Sequence, residues 1–218
     1  MRNVRKSIAI VLTALIIHSV NAKNLTSLFI EAENFQNKGG WVVDQQFMDL
    51  MGSPYLMAHG MGTLVSDATT TVNFAKTGEY TVFVRTYNWT SPWTSKEGPG
   101  KFQLTIDGRA LNNKILGTES TTWEWQEVGK VKISSKTVTI GLRDLTGFNG
   151  RCDAIYFTMD NALPPNEPEA LKAFRKEKLG LPEVVVNAGK FDFVVVGGGV
   201  AGTAAALTAA RQGLKVAL

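Results

Sequence analysis

The sequence predicts a mainly β chain, an antiparallel sandwich followed by the first, incomplete βαβ unit of an α/β fold. Three observations carry this reading: seven short β-prone runs broken by Gly, Asn, Asp and Pro between Leu28 and Thr158, a Pro-rich break at 163–168, and an apolar run that ends in three glycines before an Ala-rich stretch. The composition agrees. Of 218 residues 44% are hydrophobic and 19% charged, which describes a soluble globular protein. At roughly 100–200 residues per domain there is room for one large or two small domains. The single cysteine, Cys152, excludes an intrachain disulfide framework, a Cys-rich zinc site and a complete iron–sulfur site in this segment.

The first 22 residues read as a targeting segment. Arg2, Arg5 and Lys6 precede an apolar stretch from Ser7 to Val20, and Val20-Asn21-Ala22 offers a small-residue cleavage signal after Ala22. An uncleaved anchor is the competing reading, but fourteen residues rise only about 21 Å as a helix, short of the ~30 Å hydrocarbon core. No Arg-Arg pair is present, so Sec-type export is expected, to the periplasm, the cell surface or the medium, with membrane contact only during export. Removing three cations from a net charge of +4 leaves +1, which withdraws a nucleic-acid partner. His18 leaves with the signal, so His59 is the one histidine of the exported chain and multi-His metal sites are excluded for this segment.

The sandwich is expected over residues 24–160. Its runs are Leu28–Glu33, Thr70–Phe74, Tyr80–Tyr87, Phe102–Ile106, Trp123–Ile133, Val138–Leu142 and Cys152–Thr158. Several alternate, as Tyr80, Val82 and Val84 do against Thr81, Phe83 and Arg85, so each strand offers one face to a core. Asp107-Gly108 is a hairpin turn signal, although the irregular stretch from Arg109 to Leu116 names no partner strand.

Three anchors, Phe29-Ile30-Glu31-Ala32-Glu33-Asn34-Phe35, Gly78-Glu79-Tyr80-Thr81-Val82-Phe83-Val84-Arg85 and Arg151-Cys152-Asp153-Ala154-Ile155-Tyr156-Phe157, resemble the galactose-binding-like jelly rolls, notably carbohydrate-binding modules of families 6 and 35. The resemblance implies a structural calcium ion held by Glu31, Glu33 and Asp153. Spacing supplies a physical reason as well: two glutamates two apart on a strand share a face and repel unless a cation lies between them. A hard divalent ion would relieve that repulsion, and two solvated glutamates on an exposed face are the alternative.

All five tryptophans fall in this module. The resemblance implies sugar binding by exposed aromatics, and Trp89 and Trp93, flanking Ser91-Pro92 after a strand, are the candidate ligand residues. Trp123 and Trp125 share a strand face and read first as core or as packing against a neighbouring domain. Cys152 is expected to sit inertly in a strand, and His59 in a Gly-rich and Met-rich loop.

Leu163-Pro164-Pro165-Asn166-Glu167-Pro168 ends the sandwich and opens a linker over 161–190. Leu171, Phe174 and Leu179 predict a short amphipathic helix over Glu167–Leu179 that docks one domain on the other, its charges forming a solvated face. The apolar strand from Phe191 then runs into Gly197-x-Gly199-x-x-Gly202, and an Ala-rich helix follows to Gln212 with Gly213 as its carboxyl cap. Gly197 permits the tight turn, Gly199 lets a pyrophosphate approach the backbone, and Gly202 lets helix and strand pack closely. Val200 and Ala201 open the helix whose free N–H groups would face the phosphates.

This motif, with Leu214–Leu218 as a second strand, is similar to the amino-terminal FAD site of two-dinucleotide-binding flavoproteins, so residues 191–218 read as the start of a Rossmann-type domain. The acid expected on the adenosine ribose would follow Leu218, so FAD is preferred over NAD by resemblance alone and the chain reads as truncated. Together the parts resemble a secreted bacterial FAD-dependent oxidoreductase that takes hydride from an unknown small molecule or glycan. Its catalytic residues are not among these 218, and the fragment is expected to be inactive. The alternatives are a carbohydrate-binding protein whose sandwich does the work, and a sandwich that only docks to the catalytic domain.

Overall fold

The computed structural model describes residues 26–93, 98–185 and 187–218; the targeting segment expected at 1–22 lies outside them. The chain divides into two compact units between Leu181 and Pro182.

The first unit is the antiparallel sandwich. Its elements are β1 (Ser27–Glu31), β2 (Trp41–Asp44), α1 (Met48–Met51), β3 (Tyr55–His59), β4 (Ala68–Asn73), β5 (Gly78–Thr86), β6 (Phe102–Ile106), β7 (Arg109–Ala110), β8 (Glu124–Ile133), β9 (Thr137–Asp144), β10 (Phe148–Thr158) and α2 (Pro168–Lys178). One sheet runs β2-β3-β10-β5-β8, and β1 also pairs with β10. The second sheet runs β4-β9-β6-β7. Strand β10 is long enough to hold two partners along one edge, Phe148–Cys152 against β3 and Ala154–Thr158 against β1, while β5 pairs along the other.

Two local outcomes differ from the sequence reading, and a third supplies the partner strand it left unnamed. Trp41–Asp44 and Tyr55–His59 are strands, so His59 closes β3 and does not sit in a loop. Strand β1 stops at Glu31, and Glu33 lies in a 3-10 turn over Ala32–Asn34, so the two glutamates are not alternate residues of one strand. Asp107 and Gly108 take left-handed φ values of +48° and +78° and close a hairpin that pairs Thr105 with Ala110.

Tyr80, Val82 and Val84 of β5 enter the core between the sheets with Ile30, Phe102, Leu104, Ile140, Leu142, Ile155 and Phe157. The opposite face of the large sheet is buried too. Phe29, Phe83, Trp125, Ala154 and Tyr156 form a second apolar cluster, sealed by Leu171 and Phe174 of α2. Residues 171, 174, 175 and 178 recur at helical spacing, so Leu171, Phe174, Arg175 and Lys178 share one stripe. Within it Leu171 is 2% exposed, Arg175 is buried, and Lys178 Nζ lies 5.8 Å from the Tyr156 ring centre. Leu179, grouped with the apolar positions from sequence, is exposed. The Pro-rich segment is also laced down: Trp125 Nε1 donates to the Pro165 carbonyl at 3.1 Å, and Asn166 Nδ2 to the Trp123 carbonyl at 2.8 Å.

The second unit contains β11 (Phe193–Val194), α3 (Val200–Arg211) and β12 (Val216–Ala217). The two strands pair in parallel, Phe193 with Val216 and Val194 with Ala217, as a βαβ crossover requires. Among the described residues no helix is long and apolar enough to cross a membrane.

Leu171 holds α2 on the sheet by burial in an apolar cluster. Leu171→Ala is expected to destabilise the first unit by about 2–4 kcal/mol in urea unfolding. An unchanged midpoint would show that α2 does not rest there.

Candidate functional site

Three constellations follow from the fold. The first is the glycine turn of the second unit. Gly197 has φ +108°, a conformation that favours glycine. A Cβ at Gly202 would lie 1.9 Å from the Gly197 carbonyl oxygen and 3.1 Å from Val195 Cγ1, so only glycine lets α3 pass this close to the turn. Cβ atoms at Gly198 or Gly199 would meet nothing within 4 Å, which leaves the outer side of the turn open. Gly199 is the amino cap of α3, and the first turn of the helix carries no acidic residue. The amides that open the helix at Val200, Ala201 and Gly202 therefore present N–H groups and a partial positive charge with no side-chain cap. At the other end Gly213 takes φ +85° and its amide donates to the Ala210 carbonyl at 2.9 Å, the carboxyl cap expected of it.

The second constellation lies where β5 leaves the large sheet and β10 enters it. Trp93 is 77% exposed and meets Trp89 edge-on, ring centres 6.2 Å apart. Trp89 is fixed from behind, because its Nε1 donates to the Phe148 carbonyl at 2.8 Å and its ring lies 5.4 Å from the Arg151 guanidinium. That guanidinium also lies 6.0 Å from the Tyr87 ring. Arg151 is buried, and its Nε and Nη1 have no hydrogen-bond partner. Phe148 is exposed, and His59 Nδ1 lies 2.9 Å from Asn149 Oδ1. Trp89 and Trp93 are thus brought together. Phe148 and Asn149 precede the last anchor and Arg151 opens it, and none of the three was singled out from sequence as a site residue. Trp123 and Trp125 are buried, the first tilted against Tyr55 with ring centres 4.9 Å apart and the second beside Phe29. Cys152 is fully buried, and burial pushes its thiol up, as an inert residue requires.

The third constellation holds Glu31, Glu33 and Asp153, the expected calcium ligands. Glu31 and Asp153 do converge on the outer face of the large sheet, yet a guanidinium lies between them. Arg175 donates from Nε to Glu31 Oε1 at 3.0 Å and from Nη2 to Glu31 Oε2 at 2.5 Å and Asp153 Oδ1 at 3.1 Å. Arg85 Nη1 takes the other side of Asp153, at 2.8 Å from Oδ2. A bulge in the pairing of β10 with β5 between Cys152 and Ala154 lets Asp153 and Ala154, neighbours in sequence, both serve this face. Burial opposes the Arg175 charge, but the hydrogen bond to Glu31 and the charges of Asp153 and Glu31 outweigh it and raise its pKa. Glu33 stands apart. Its Oε2 is buried without a partner, and burial, then the charge of Glu31, push its carboxyl up to about 8. Among the described residues no three His, Cys, Asp or Glu side chains are arranged to hold a metal ion.

That shift has a sign. The folded protein keeps the Glu33 proton up to about pH 8, whereas the unfolded chain releases it near 4.5. Stability from the neutral carboxyl is therefore full below 4.5 and lost as pH rises toward 8. Glu33→Gln, neutral at every pH, is expected to lose less stability between pH 5 and pH 8 than the unsubstituted chain. Equal losses in urea midpoint would contradict a protonated Glu33.

Residues 192–218 match the FAD_binding_2 family, described as an FAD binding domain. No curated protein matches the chain. Solved structures of similar fold include a β-(1,4)-mannanase of Podospora anserina with a family 35 module, at 18% identity and TM-score 0.49 over 64% of this chain and 29% of that one. A family 35 carbohydrate-binding module from Clostridium thermocellum aligns at 14% identity and TM-score 0.46 over 61% of this chain and 97% of its own. The C-terminal family 6 module of a Zobellia galactanivorans laminarinase aligns at 19% identity and TM-score 0.40, over 61% and 98%. The chain carries a β-sandwich and a short segment, residues 192–218, that matches an FAD binding domain, and it spans 29% of the length of the mannanase chain.

Proposed function

We propose that this chain is the front part of an exported FAD-dependent oxidoreductase whose flavin accepts hydride from a small molecule or glycan. The match of residues 192–218 to an FAD binding domain is the observation that carries the reading. The residues present suit the cofactor. Gly197 turns the chain, Gly199, Val200 and Ala201 offer the backbone amides at the start of α3, and Gly202 removes the Cβ that would hold the helix away from the turn. FAD would supply the redox chemistry when bound, and these residues would bind and orient its pyrophosphate. The basic and apolar start of the chain supports export by a Sec-type signal ending at Ala22.

In the natural gene product, Gly202→Val is expected to abolish retention of yellow flavin through purification. The isolated 218-residue polypeptide is expected to hold none. Full flavin content in Gly202→Val would overturn the assignment of the turn.

A second activity, glycan binding by the sandwich, is supported by one observation: Trp93 is largely exposed although four other tryptophans pack against protein. An exposed indole held edge-on to an anchored neighbour is a surface on which a pyranose face can stack. Trp93→Ala is expected to weaken glycan binding at least tenfold on an array while leaving the unfolding midpoint within about 0.5 kcal/mol. Retention of full binding would exclude Trp93 as the platform.

A further inference from the structure

The resemblance to calcium-holding modules implies a metal at Glu31, Glu33 and Asp153, and the groups of this chain do not fit one. Two of the three carboxylates already share a cation that belongs to the polypeptide. The three guanidinium nitrogens of Arg175 reach both oxygens of Glu31, both oxygens of Asp153, the Met51 carbonyl at 2.8 Å and Ser53 Oγ at 2.5 Å. Two carboxylates, a main-chain carbonyl and a hydroxyl make the oxygen set that a hard divalent ion would take. Here the set is filled by N–H donors at hydrogen-bond distance. A metal ion at 2.3–2.6 Å from Glu31 and Asp153 would have to displace the guanidinium. Charge leads to the same place. Arg85 and Arg175 balance Glu31 and Asp153 within one cluster, so a divalent ion would add an unmatched positive charge in a buried place.

We propose that Arg175 is a built-in replacement for a structural divalent cation, carried into the sandwich on α2, so that the sandwich needs no metal and the helix is part of it. The oxygen set remains a latent metal site. Take away the guanidinium, and Glu31, Asp153, the Met51 carbonyl and Ser53 face one another with Arg85, on the far side of Asp153, as the one cation left for two carboxylates.

Thermal unfolding of the full 218-residue chain, after EDTA and after addition of millimolar calcium chloride, tests this. The unsubstituted chain is expected to melt at the same temperature in both. Arg175→Ala is expected to melt lower after EDTA and to gain about 4 °C or more with calcium. Leu171→Ala loosens the same helix but keeps the cation, so it should melt lower in both conditions with no response to calcium. If Arg175→Ala does not fold, Arg175→Met, which keeps the aliphatic stem, carries the same comparison. A calcium response in the unsubstituted chain overturns the proposal, as does the lack of one in the Arg175 variant. Neither outcome bears on flavin binding, which depends on the second unit.

Discussion

Laying a helix over the outer face of the large sheet takes carboxylates out of water, and the sandwich is organised by how those charges are matched. Glu31 comes from β1, Arg85 from β5, Asp153 from the bulge of β10 and Arg175 from α2, so four elements distant in sequence meet at one cluster. Breaking a buried pair by removing one partner costs about 3–5 kcal/mol, because the remaining charge is left uncompensated. The apolar stripe of Leu171 and Phe174 supplies attraction without direction. The guanidinium fixes where along the sheet the helix rests, since its planar donors fit both carboxylates in only one position.

Much of this architecture was legible in the residues. Alternation in β5 separated the core face of Tyr80, Val82 and Val84 from that of Phe83 and Arg85, and the structure keeps the division. The glycine turn was legible as well, because its backbone demands are local: Gly202 is needed for a contact only five residues away. What sequence could not give is long-range. Arg175 looked like one more cation on a solvated face, and its partners lie 144 and 22 residues distant. The expected repulsion between Glu31 and Glu33 rested on a strand that ends at Glu31, and whether an ion or a side chain balances Glu31 and Asp153 depends on the docking of α2. Strands β2 and β3 were missed for a plainer reason, being short and set among Gly and Met residues that carry no alternation.

The tryptophans show how one residue type divides by context. Trp41, Trp123 and Trp125 are buried in three separate clusters, and Trp125 also donates to the Pro165 carbonyl, fastening the segment that delivers α2. Trp89 is anchored by a backbone carbonyl and a guanidinium, and Trp93 leans on it with most of its surface in water. Nothing in their spacing along the chain separates the exposed ring from the buried ones. The difference arises from where each one sits: Trp41 and Trp125 lie in strands and Trp123 immediately before one, whereas Trp93 lies in the turn beyond β5.

Ser27 lies directly opposite Thr158, so the chain enters β1 and leaves β10 within one strand spacing, about 5 Å. A module whose ends meet in this way can be moved between genes as a cassette, because the host chain is scarcely parted where it is inserted. Here the natural seam at Pro164 would be the wrong place to cut. A cassette ended there would carry Glu31 and Asp153 away from Arg175, so the heritable unit runs to Leu181, and any fusion that respects the sheets alone would transplant an incomplete domain.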